Sequence, residues 1–288
     1  MCRAIACFLC LGVLFCFLGC RDKSESVPLL EMICLDVGQG HATLLRTPEG
    51  DVLVDAGPED RQVELCQRLQ SLGVERLALL ILTHSDEDHI GGADGVLEQL
   101  EVDEIWINGA AAENDSWGRL TDWIVKKNVL VSEVKSGDGI SFGQLHISIL
   151  SPVSHVTETT NENSLVLLIR CVDFGALIMG DVSAETEMAL IDAYGEGHLR
   201  ADVLLVGHHG ANTSTCVDFL DTVRPRYAVI SCGAGNPYGH PDGRALMRLE
   251  TANAEILRTD LLGDIRFRVS EDEFYYVKDE RTEGERRR

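Results

Sequence analysis

Basic residues are scarce in this chain. It has 25 Lys and Arg against 47 Asp and Glu, a formal net charge of −22. Proteins that coat nucleic acid through phosphate contacts are normally basic, so this balance excludes a general coating role. It does not exclude an enzyme that meets a phosphodiester through bound metal and a local patch. Aromatics make up only 6%, and there are 7 prolines against 27 glycines, which points to many tight turns. No internal repeat and no long linker interrupts the sequence, and 288 residues at 45% hydrophobic suit one large globular domain or two small ones. Of the 10 cysteines, the five beyond Cys20 show no CxxC spacing. Cys2, Cys7, Cys10 and Cys16 fall in an N-terminal apolar run. Beyond Cys20, the odd set Cys34, Cys66, Cys171, Cys216 and Cys232 gives no disulfide framework, although one bridge stays open. Most of the five lie in apolar stretches, where cysteine packs as a small hydrophobe.

That N-terminal run, "AIACFLCLGVLFCFLG" at residues 4–19, carries no charge and follows Arg3. It has about the length of a signal peptide and is short for a membrane span of roughly 20 residues. It ends in "FLGC" before the polar "RDKSES". The reading is a lipoprotein-type signal over residues 1–19, with Cys20 lipidated and residues 20–29 as a tether. Phe17 stands where a lipobox usually has leucine, so an uncleaved anchor or plain secretion are the alternatives. All three place the domain outside the cytoplasm, facing the periplasm or cell exterior. The tail at residues 279–288 is a charge run, expected to be disordered.

Between these ends, strands and helices alternate. "LEMICLDVG", "ATLLRT" and "DVLVDAG" read as short strands. Residues 59–72 read as a helix with Val63, Cys66, Leu69 and Leu72 on one face. "LALLILTH" and "VDEIWIN" read as strands, 115–127 as a helix, and "NSLVLLIRC" and "GALIMGD" as a hairpin. Residues 183–194 and 242–253 read as helices, and "GDIRFRVS" with "EFYYVKD" as a closing hairpin. The class is α/β.

One segment does not fit a structural role. "THSDEDHIGG" at residues 83–92 follows a buried strand and crowds Asp86, Glu87 and Asp88 between His84 and His89. Like charges at that spacing repel, and carboxylates near a core lose hydration. A divalent cation would offset both costs. Other strands finish in the same residue types: Asp55 after "DVLV", Asp181 after "GALIMG", His208 and His209 after "ADVLLVG", and His240 beyond "AVIS". In open α/β folds, ligands gather at such strand ends.

The segment resembles the HxHxDH signature of the metallo-β-lactamase superfamily, with Asp86 in place of the middle histidine. Within that superfamily the chain resembles the hydrolase domain of ComEC-type DNA-uptake competence proteins, which show HxDxDH. "LDVGQGHATLL", "LVDAG", "NENSLVLLI", "LIMGD", "DVLLVGHHGA", "SCGAGNPYGHP" and "LRTDLLGDI" follow in the family's order. The resemblance implies a hydrolase domain over residues 30–278 with an αββα sandwich: two mixed β-sheets flanked by helices, with the metal centre at one edge. It implies that His84 and Asp86 hold a first metal, that Asp88 and His89 hold a second, and that Asp181 bridges them. His208 would complete the second site, with His209 the alternative. Asp88 and His240 are the candidate catalytic residues, His240 as a group that binds phosphate or oxyanion. Asp55 is expected to support the loop, Glu87 to be solvated, and Gly91 and Gly92 to let the backbone turn into a helix. The superfamily's further histidine on the first site is missing. His146 and His155 are available by number, but Asn161, Asn163 and Ser164 lie nearer its position. His41 stands where the competence family has aspartate.

The implied cofactors are two divalent ions, zinc or manganese, with magnesium a third candidate. The implied activity is metal-assisted hydrolysis of a nucleic-acid phosphodiester, single-stranded DNA first. The implied partners are that substrate, the membrane through an N-terminal lipid, and proteins of an uptake machine. The alternatives are hydrolysis of a small phosphodiester or a lactone, and a non-catalytic surface lipoprotein that retains the fold.

Overall fold

The computed structural model describes residues 27–110, 112–153 and 160–278. The expected signal segment, Cys20, His155 and the charged tail lie outside these residues. Apolar runs such as "LEMIC" are buried at every position. Alternate side chains explain why: Met32 and Cys34 face one core and Ile33 and Leu35 another. A strand covered on both faces reads as a continuous apolar run rather than an alternating one.

Two mixed sheets result. The first holds eight strands in the order Phe274–Val277, Ile265–Val269, Leu30–Cys34, Thr43–Thr47, Gly50–Val54, Leu79–Ile81, Glu104–Ile107 and Leu130–Glu133. Pairing is antiparallel as far as Gly50–Val54 and parallel beyond it. The second holds seven, in the order Glu255–Arg258, Tyr227–Ile230, Val203–Leu205, Phe174–Ile178, Val166–Cys171, Leu145–Ser151 and Gly139–Phe142. Here the first three pairings are parallel and the rest antiparallel.

The sheets pack face to face through Met32, Val54, Ile81, Ile149, Leu167 and Ile178, among others. Helices Gln62–Ser71, Ala93–Gln99 and Asp115–Lys127 cover the outer face of the first sheet. Helices Ala184–Leu199, Val217–Val223 and Gly243–Thr251 cover that of the second. This is the αββα arrangement. Among the described residues no helix is long and apolar enough to cross a membrane.

The expected helix over 115–127 forms with those bounds. Asn114 caps it, its side-chain oxygen accepting from Trp117 N at 2.8 Å, and Asn128 ends it in the left-handed region. The helix expected over 59–72 begins as a 3₁₀ turn and becomes α-helical at Gln62–Ser71. Its buried side chains are Leu65, Cys66 and Leu69, while Val63 is 58% exposed. Helix Val217–Val223 and strand Glu255–Arg258 are additional to the elements read from sequence.

Candidate metal centre

The parallel strands of both sheets end at one edge, and the loops that leave them build the site. Asp55 follows Gly50–Val54, the signature loop follows Leu79–Ile81, Asp181 follows Phe174–Ile178, and the two histidines follow Val203–Leu205. The signature loop is pinned on several sides. Asn114 Nδ2 donates to Ser85 O at 2.8 Å, and His41 N donates to Asp88 O at 3.1 Å. A Cβ on Gly40 would stand 2.3 Å from that same oxygen. Gly91 and Gly92 have ordinary helical backbone angles. They are required by close approach instead: a Cβ there would meet Glu59 N at 2.4 Å or Ala56 O at 2.3 Å.

Asp181 is the hub. His89 Nε2 lies 3.1 Å from its Oδ1; His84 Nε2 and His209 Nε2 lie 3.9 and 3.6 Å from its Oδ2. Asp86 Oδ2 lies 3.8 Å from His84 Nε2, and Asp88 Oδ2 lies 3.1 Å from His209 Nε2. His84 Nε2, His89 Nε2, His209 Nε2 and Asp181 Oδ1 are buried, yet none has a hydrogen-bond partner. They approach one another without aligning as donor and acceptor. Donors each about 2.0–2.1 Å from a shared ion stand roughly 3.0–3.4 Å apart, close to the spacing found. Buried polar atoms left unpaired are costly, and a cation among them removes that cost. The residues therefore fit a metal. Two groups around the hub have ligand atoms within 4.8 Å of one another, His84 with His89 and Asp181, and Asp88 with His89 and His209, and Asp86 stands beside the first through His84.

Of the predicted residues, His84, Asp86, Asp88, His89 and Asp181 are brought together. At the last candidate position the side chain brought among the carboxylates is that of His209 rather than His208. Both histidines sit at φ 53°, which turns consecutive side chains apart. His209 is buried, and its Nδ1 donates to Ser231 O at 2.9 Å, so Nε2 is the nitrogen left to face the carboxylates. The His208 side chain is 31% exposed, and Asp181 Oδ2, at 3.8 Å, is the carboxylate oxygen within reach. His240 stands at the mouth, its ring 5.7 Å from that of His208, with Nδ1 unpartnered. His146 is remote from the site, exposed and bonded to Ser141. Ser164 Oγ accepts from Asp181 N at 3.1 Å and so supports the hub rather than joining the ligands. Glu87 is exposed, but its carboxylate accepts from Glu59 N at 2.8 Å.

A layer beneath the ligands was only partly foreseen. Asp55 is fully buried and collects four hydrogen bonds. Thr83 N donates to Oδ1, while His41 Nδ1, His89 Nδ1 and Thr83 Oγ1 meet Oδ2. The other nitrogen of His41 meets Thr43 Oγ1 at 3.1 Å. His41 thus fills a role beside Asp55 that no spacing in the sequence advertised.

The electrostatics agree with a site made for positive charge. Burial pushes the Asp181 carboxyl up, but His89, His209 and His84 outweigh it and hold the group well below the carboxylate range. Burial and the neighbouring His89 push His84 down to about 4, despite Asp181. Burial lowers His89 as well, yet Asp181 and Asp55 on either side raise it well above the usual imidazole value.

The sequence pattern of the Metallo-beta-lactamase superfamily matches residues 35–234. The chain belongs to the metallo-beta-lactamase superfamily. It is similar to ComE operon protein 3 of Bacillus subtilis (strain 168), at 30% identity over 256 residues, covering 83% of this chain and 33% of that protein. It is also similar to Competence protein ComA of Neisseria gonorrhoeae, at 32% identity over 248 residues, covering 85% and 33%. The chain thus spans about a third of the length of these competence proteins, and the resemblance carried by the ordered motifs is borne out. Among solved structures, the metallo-beta-lactamase fold protein YhfI from Bacillus subtilis superposes with a TM-score of 0.56 at 11% identity, covering 86% of this chain and 99% of that one. That likeness shows the superfamily fold.

Proposed function

We propose that the protein is a binuclear metal-dependent phosphodiesterase that cleaves DNA in a competence-like role outside the cytoplasm. The observation that supports it most is the set of unpartnered buried donors around Asp181, with His240 at the open side. Similarity to a relative named as a competence protein supports nucleic acid as the substrate. Divalent ions held by His84, Asp86, Asp88, His89, Asp181 and His209 supply Lewis acidity and a nucleophile at neutral pH. A donor set of three carboxylates and three imidazoles suits zinc or manganese, magnesium less well.

The protein's own residues supply the rest. Asp181 places Oδ1 beside His89 and Oδ2 between His84 and His209, so its carboxylate stands among the imidazoles of both groups. Asp55 holds His89 in one orientation. His240 offers a polar ring to charge that develops on the phosphate, fixed in place before the reaction begins. On the same reading Cys20 is lipidated and tethers the domain to a membrane, where it can meet proteins of an uptake machine. Cys20→Ser should then release the protein from membranes or block its maturation; unchanged association with an intact signal segment favours an uncleaved anchor.

The test is cleavage of linear single- and double-stranded DNA by the purified protein, loaded in turn with manganese, zinc and magnesium. Cleavage is expected, with single strands preferred. If protein with two metals bound cleaves neither DNA, RNA nor a model phosphodiester, the reading fails, and the lactone and non-catalytic readings take its place.

One observation favours a smaller phosphodiester. A cleft of about 980 Å³ beside Asp88 is lined by six carboxylates and one guanidinium, that of Arg61. Such a wall repels a long phosphate backbone more than a short one. Faster cleavage of dinucleotides than of long strands would decide for it.

A further inference from the structure

Tyr238 lines that cleft and is 67% exposed. Its backbone is nevertheless fixed. Asn236 Oδ1 accepts from Tyr238 N at 3.2 Å and from His240 N at 3.0 Å, while Asn236 Nδ2 donates to Gly233 O and His240 O at 2.9 and 2.5 Å. Gly235 and Gly239, both at positive φ, let the chain turn tightly around this asparagine. An exposed ring on a fixed backbone loses little freedom when a flat ligand arrives.

The ring also has a definite direction relative to the metal centre. It lies 25° from parallel to the His240 ring at 5.8 Å, and His240 lies 24° from parallel to His209 at 6.4 Å. Three rings therefore lead from solvent to a candidate ligand, with Tyr238 outermost. Among its other charged side chains the cleft wall presents Asp36, Glu59, Asp60, Glu87, Asp88 and Asp260 against the single cation Arg61. These carboxylates repel phosphate, but they do not repel the uncharged face of a base. Every nucleobase has a π-face, and stacking on an aromatic ring tolerates any sequence.

We propose that Tyr238 is the specificity-determining platform on which the nucleobase beside the scissile phosphate stacks. The proposal rests on the nucleotide-cleaving reading above, and binding tests it separately from cleavage. The manganese-loaded protein is titrated with thymidine 5′-monophosphate and with 2-deoxyribose 5-phosphate, which lacks the base. Wild type should bind the nucleotide more tightly by roughly 5- to 150-fold, the range that base–aromatic stacking supports. Tyr238→Phe should keep that preference. Tyr238→Ala should abolish it and leave the sugar phosphate bound as before. A wild-type protein that does not distinguish the two ligands overturns the proposal. So does Tyr238→Ala if it keeps the preference or weakens both ligands alike. A preference lost in Tyr238→Ala, in a protein that cleaves no phosphodiester, upholds the platform and removes the nuclease.

Discussion

His89 Nδ1 donates to Asp55 Oδ2 at 2.7 Å, which leaves Nε2 as the nitrogen facing Asp181, 3.1 Å away. The carboxylate beneath the histidine thus selects its tautomer and its direction. Asp55→Asn removes the charge and offers one accepting oxygen where four donors converge. Metal affinity should fall about 10–100-fold, measured by competition with a chelator. Unchanged affinity would reduce Asp55 to a support of the loop alone.

The two adjacent histidines should behave differently. His209→Ala should bring loss of one of the two ions by elemental analysis. His208→Ala should keep both, since its side chain is part-exposed and stands off from every carboxylate except Asp181. The reverse pattern would return His208 to the ligand set.

Metal and pH should be linked. Burial opposes the charge on Asp55, but His89 and His41 still hold it below the carboxylate range. In metal-free protein its contribution to stability is fully present above about pH 3.9, and it fades as pH falls through the depressed folded value. The raised His89 contributes fully below about pH 6.5, and its share fades as pH rises through the folded value. The metal-free melting temperature should therefore peak between roughly pH 4 and 6.5. Ions must displace the proton on His89, so chelation should lower the melting temperature more near pH 8 than near pH 5. Equal effects at both would mean that these groups do not bind the metal.

Asp181→Ala and His240→Ala should fail in distinct ways. The first removes the shared carboxylate and should lose both metal and turnover. The second should retain metal while turnover slows roughly 10²–10³-fold, as when one group that stabilises developing charge is removed. Metal content and single-turnover rates measured on the same preparations separate the two. Loss of metal from His240→Ala would make that residue a ligand.

Much of the site could be read from the sequence because its residue types are local. Two histidines and three acids in one loop after a buried strand have few structural uses; the apolar runs broken by turns give the α/β class, and the αββα layers come from the family resemblance. What escaped depends on direction or on distant contact. His208 and His209 are neighbours in sequence, and only the left-handed backbone decides which one enters the site. Val63 fits a helical face by spacing, yet the helix starts at Gln62 and turns Leu65 inward instead. His41 takes its meaning from Asp55, across a strand pair. Glu187 lies on a helix that the sequence indicated, yet it is buried, and its carboxylate accepts from Thr215 N and Cys216 N, contacts that no helical pattern carries.

His84, Asp86, Asp88 and His89 leave the edge of one sheet, while Asp181 and His209 leave the edge of the other. Ions bound among them would staple two halves of the chain that are far apart in sequence, closing a long loop as a cross-link does. Neither half alone offers a complete set of donors, so metal uptake should come late in folding. Release should then be slow as well, because a bound ion must give up donors from both sheets before it can leave.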